Sequence, residues 1–99
     1  MGKFKLLSIK PSTKSGKKLM ATFKDKESGR ESVTHFGAKG YKDWTAGATP
    51  EQKKNYRSRH RGDNLTNPRS AGALSYYILW GASKSKRANI ASYKRKFGL

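Results

Sequence analysis

His35 and His60 are the two side chains of this 99-residue chain best suited to proton transfer near neutral pH. Beside a lysine, such a pair can act as acid and base on a phosphodiester without a metal. His35, however, sits between Thr34 and Phe36 in a stretch of strand type, where an imidazole packs and hydrogen-bonds. The six carboxylates are scattered, with no close pair for a two-metal nuclease. Cysteine is absent, so there is no thiolate zinc site and no disulfide framework. Neither a P-loop nor a dinucleotide fingerprint is present. The chain therefore reads as a non-enzyme with no cofactor, no metal and no small-molecule substrate.

What the residue types do support is neutralisation of a polyanion. Twenty-three Lys and Arg stand against six Asp and Glu, a net charge of +17. Charge of that density repels itself on compaction and calls for an anionic partner. Nucleic acid is the first candidate, because neutralising phosphates releases condensed counterions without any base contact. The cations belong to both halves: residues 1–45 carry eleven basic and four acidic side chains, and residues 46–99 carry twelve and two. Those twelve are Lys53, Lys54, Arg57, Arg59, Arg61, Arg69, Lys84, Lys86, Arg87, Lys94, Arg95 and Lys96. Lys53, Lys54, Arg57 and Arg61 fall at helical spacings that give one basic face, while Tyr56 and His60, four apart, mark another. Replacing Lys53, Lys54 and Arg57 by Ala is expected to flatten the salt dependence of binding and leave the fold intact.

The elements that must position these residues change character near residue 45. Upstream, Phe4, Leu6 and Ile9 read as one strand, with Pro11 to Gly16 as a loop. Lys18–Lys24 reads as a second, with Leu19, Ala21 and Phe23 on one face. Lys26-Glu27-Ser28-Gly29 turns the chain into a third at Glu31–Phe36. Downstream, Thr49-Pro50-Glu51-Gln52 is a capping box with proline at the first helical position, predicting a helix to about Arg61. A second helix is predicted from Asn67-Pro68 through the most apolar stretch of the chain to Gly81, and a third from Ser83 or Ser85 to Gly98 with Ile90, Tyr93 and Phe97 on one stripe. The expected fold class is α+β, a small three-stranded antiparallel sheet followed by about three helices. It forms a single basic domain, mainly β over 1–45 and mainly α over 46–99.

Gly37-Ala38-Lys39-Gly40 has the G-x-x-G form of the backbone-clamping loop of KH domains, but the helices that module needs are not evident. A turn that lets Tyr41 and Trp44 cover the sheet is the simpler reading. No apolar run approaches the ~20 residues of a membrane span, and the start of the chain is too short and interrupted for a signal peptide. The sequon at Asn64-Leu65-Thr66 and the Arg61-Gly62-Asp63 tripeptide are read as chance.

Several stretches taken in order carry a resemblance. They are His35-Phe36-Gly37, Tyr41-Lys42-Asp43-Trp44-Thr45, Tyr56-Arg57-Ser58-Arg59-His60, Asn67-Pro68-Arg69-Ser70-Ala71-Gly72-Ala73-Leu74-Ser75, Ile78-Leu79-Trp80-Gly81, Asn89-Ile90 and Tyr93-Lys94-Arg95-Lys96-Phe97. Together they resemble a family of short basic uncharacterised proteins of large nucleocytoplasmic DNA viruses of algae and protists. The resemblance runs over residues 33 to 99, and the residues before 33 add little to it. It implies a viral, virion-associated protein, present in the host cytoplasm or nucleus during infection, and supplies no catalytic residues. Joined to the charge, it gives the expectation of a low-specificity double-stranded DNA-binding protein that packages a viral genome. The alternative is a minor structural protein of the capsid that binds acidic virion proteins, with Phe97-Gly98-Leu99 among its contacts.

Overall fold

A computed structural model describes residues 3–40, 42–63 and 65–99. Three strands, β1 (Phe4–Pro11), β2 (Lys17–Asp25) and β3 (Glu31–Ala38), form an antiparallel meander in the order β1-β2-β3. Alternation sets which face is buried. Leu6 pairs with Phe23, Ile9 with Ala21 and Leu19 with Phe36, so these side chains share the inner face. A bulge at Leu7 shifts the β1 register between Leu6 and Ser8 and leaves Leu7 exposed. The β2–β3 turn is closed by Asp25, whose carboxylate accepts from the Glu27 and Ser28 amides at 2.8 and 3.2 Å. Those two bonds hold the Asp25 carboxyl below its usual range.

Asp43 caps a 3-10 turn (Trp44–Ala46) by accepting from the Thr45 amide and hydroxyl. Helix α1 (Pro50–His60) begins in the predicted capping box, with Thr49 Oγ1 accepting from the Gln52 amide at 3.1 Å and Gln52 Oε1 from the Thr49 amide at 2.8 Å. The second helix starts later than its proline suggested. Asn67 Oδ1 accepts from the Arg69 amide and Asn67 O from the Ser70 amide, which folds Asn67-Pro68-Arg69-Ser70 into a turn. Ser70 is then the cap of α2 (Ala71–Leu74). Its last turn widens into a π-helical segment (Ser75–Leu79), in which Trp80 N reaches back to Ser75 O. Helix α3 (Lys86–Phe97) is capped by Ser85 and ends at Gly98 in the left-handed conformation, as expected.

The core lies where α2 and its π extension cross the sheet. Phe23, Phe36, Leu74 and Ile78 are wholly buried there, joined by Leu79 and by Tyr93 from α3. The carbonyls at the end of a helix lack intrahelical donors, and here side chains of two other helices supply them. Asn89 Nδ2 donates to Ile78 O at 2.8 Å, and Arg57 Nη1 to Trp80 O at 2.7 Å. Gly81 makes this junction possible, because a Cβ there would lie 2.2 Å from Tyr77 O. Tyr93 donates to Pro68 O at 2.7 Å and ties α3 to the turn before α2.

Candidate nucleic-acid interface

Helix α1 contributes no buried residue to the core. The side of α1 turned to the protein, Lys53, Tyr56, Arg57 and His60, is half-buried and largely polar where a packed helix would be apolar, and Gln52, Asn55 and Arg59 beside it are exposed. A polar stripe cannot be buried dry, so α1 stands off α2 and the end of the sheet where β2 starts and β3 finishes. The space between is an open cleft of about 1020 Å³. Lys17, Lys18, Lys42 and Arg59 line it, against two carboxylates, Asp43 and Asp63. Lys18 is paired with buried Asp43 at 2.7 Å.

What holds α1 is a column of rings. Tyr56 stacks on Trp80 with centroids 4.4 Å apart and on His60 at 4.2 Å. Burial raises the Tyr56 phenol above its usual pKa. Trp80 is buried at one end of the column, whereas His60 at the other is over a third exposed. Asp63 Oδ2 lies 2.9 Å from His60 Nδ1.

The predicted basic face of α1 splits in two. Lys54 and Arg61 are exposed. Arg57 instead turns inward, lying 4.1 Å over the Tyr76 ring while donating to Trp80 O. Its contacts hold α1 to the end of the π segment, so its removal is expected to cost stability, which the spacing on α1 did not indicate. Lys53 is half-buried with its ammonium 4.5 Å from the Trp44 ring. Burial, and secondarily the charge of Arg57, push the Lys53 pKa down. Lys84, in the loop before α3, approaches the same indole at 4.8 Å, so two ammonium groups contact one ring system. Arg69 is also half-buried, 3.9 Å over the Phe4 ring. The other nine cations named from the sequence are exposed: Lys54, Arg59, Arg61, Lys84, Lys86, Arg87, Lys94, Arg95 and Lys96. None of them has a carboxylate partner among the described residues.

Sequence reasoning passed over the outer face of the sheet. Lys5 and Lys24 are directly paired across β1 and β2, both exposed, with Lys10 on the same face beyond them. Like charges so placed destabilise a sheet unless an anion lies over them. Strict alternation from Leu19, Ala21 and Phe23 would have found this face. The cleft had no such signal, because Lys18 and Asp43 are 25 residues apart.

The histidines occupy separate sites. His35 Nδ1 is 2.7 Å from Ser12 Oγ on the sheet, while His60 lines the cleft. The G-x-x-G reading does not survive: Gly37 and Ala38 finish β3, and a Cβ on Gly37 would lie 2.7 Å from Leu79 Cδ1. Gly37 ends β3 beside the π extension of α2 with a φ of 81°, the left-handed conformation that favours glycine. Trp44 is half-buried against the core, as the covering reading expected, and also meets Lys53 and Lys84 on its ring, while Tyr41 and Asn64 lie outside the described residues. Among the described residues no group of three or more His, Asp or Glu is placed to hold a metal, and no helix is long and apolar enough to cross a membrane.

A family model described as "Family of unknown function (DUF5754)" matches residues 7–60. A protein of Acanthamoeba polyphaga mimivirus, titled "Uncharacterized protein L851", is 33% identical over 81 residues, covering 75% of this chain and 80% of its own length. No solved structure matches. The family match begins well before residue 33, where the resemblance was expected to start, and ends with α1. It therefore spans β1 from Leu7 on, β2 and β3, as well as the cations that line the cleft.

Proposed function

We propose that this chain, which belongs to the DUF5754 family of unknown function, is a non-enzymatic protein that binds duplex DNA through its phosphates and helps package the genome of a large DNA virus. The observation that carries this reading is the set of nine exposed, carboxylate-free cations on a chain of net charge +17. The facing Lys5–Lys24 pair adds to it. A surface of this kind neutralises phosphates and reads no bases, so sequence specificity is low. The viral setting is supported by the mimivirus relative.

Replacing Lys94, Arg95 and Lys96 together by Gln tests the reading. These side chains are exposed at the end of α3; Lys96 also lies 5.0 Å over the half-buried Tyr77 ring, a contact whose loss costs about 1 kcal/mol or less, so the fold should persist. Every phosphate-binding charge removed in this way should reduce the salt-dependence slope by about one unit. An unchanged slope removes α3 from the interface. Disrupted virions supply the second arm: recovery with the genome fits packaging, whereas recovery with the shell would favour a capsid role.

A further inference from the structure

The cleft between α1 and the end of the sheet combines a stacked ring column with cations, which the exposed surface does not. We propose that it takes a single unpaired nucleotide of a nucleic-acid strand, the base stacking on His60 and the phosphate meeting Lys17, Lys42 or Arg59. This rests on the nucleic-acid reading above and adds to it a second, single-strand mode of contact.

Three observations converge on the cleft. The column Trp80–Tyr56–His60 is built of nearly parallel rings, with interplanar angles of 8° and 26°. It is closed at buried Trp80 and open at His60, so a flat base can extend it as a fourth plate. Stacking of this sort accepts any base, because every base has a π-face. The rim carries an excess of positive charge, since Lys18 is neutralised by Asp43 while Lys17, Lys42 and Arg59 have no carboxylate partner among the described residues. Finally, the volume of about 1020 Å³ is at the upper end of small-molecule sites, enough for a base with its sugar and phosphate. The polar stripe of α1 keeps it from closing.

A base in a duplex has both faces covered by its neighbours and cannot join the column. The ligand chemistry is thus a nucleotide with a free base face, from a single strand or from a free nucleotide. Linkage to further phosphates on the surrounding cations favours the strand.

The test compares wild type, His60→Ala and His60→Phe for binding to oligothymidine, thymidine monophosphate and a covalently closed circular duplex, which has no terminal base face. His60→Ala should weaken oligothymidine binding about tenfold, and His60→Phe, which keeps the plate without the imidazole, should restore it. Duplex binding by all three proteins should be equal, and matching circular dichroism spectra report that they are folded. Equal oligothymidine binding by wild type and His60→Ala overturns the inference while leaving the duplex reading in place, as does a loss that His60→Phe fails to restore. Monophosphate binding as tight as that of the oligonucleotide overturns the strand as the source. Failure of wild type to bind any of the nucleic acids overturns the packaging reading and this inference together.

Discussion

Arg57 separates cations that hold the fold from cations that face a partner. Arg57→Ala removes the 2.7 Å bond to Trp80 O, a longer 3.5 Å contact to Tyr76 O, and the guanidinium stacked at 4.1 Å on Tyr76. A hydrogen bond from a charged donor contributes about 1.5–3 kcal/mol, and a partly exposed cation–π contact about 0.5–1 kcal/mol. Because Arg57 is half-buried and the variant has no arginine side chain to order on folding, the low end applies, and the net loss should be about 2 kcal/mol. In a domain of this size that lowers the melting temperature by about 8–16 °C. The control is Lys54→Ala, on the same helix but exposed, which should stay within about 0.5 kcal/mol of wild type. Urea unfolding followed by circular dichroism measures both, with equal m-values showing that the denatured states match. If Arg57→Ala proved as stable as Lys54→Ala, the carbonyl cap inferred for the π-helical end would be wrong. Arg57 would then rejoin the phosphate-binding cations.

The same framework predicts the response of two buried positions. Gly81→Ala should destabilise by at least about 2 kcal/mol, because the new methyl would meet the Tyr77 carbonyl and the Asn89 amide at the junction of α2 and α3; a neutral effect in thermal unfolding would contradict the close approach. Tyr93→Phe should cost about 1 kcal/mol, since Pro68 O loses its donor. Burial raises the Tyr93 phenol above its usual value of 10.0. The folded chain then keeps that proton to higher pH than the unfolded chain, so the contribution of Tyr93 to stability is constant below pH 10 and falls above it. Melting temperatures measured from neutral to alkaline pH should show that fall flattened in Tyr93→Phe.

The sequence disclosed what local chemistry decides. The Thr49–Gln52 box, Ser85 and Gly98 are capping signals complete within a few residues, and each marks a helix boundary where it was expected. The alternation of Leu19, Ala21 and Phe23 likewise located the inner face of β2. Asn67-Pro68 misled because a turn and a helix start use the same residue types, and the Ser70 hydroxyl three residues on takes the cap. Charge spacing on α1 placed Arg57 with Lys54, since spacing cannot show that Tyr76 and Trp80 would come to lie beneath one of them. The cleft was hidden for a similar reason. Tyr56 and His60 were legible as a pair, but the third ring of the column lies at the end of the apolar stretch after α2 and reads there as core.

Phosphate neutralisation is tested most directly by one titration, binding to duplex DNA measured from low to high salt beside heparin as a non-nucleic polyanion. With about six phosphates neutralised, affinity should fall about 10³-fold between 50 and 200 mM salt. Duplex should also hold beyond the salt at which heparin is released. Absence of duplex binding at low salt, or an affinity indifferent to salt, would contradict phosphate neutralisation as the purpose of this surface.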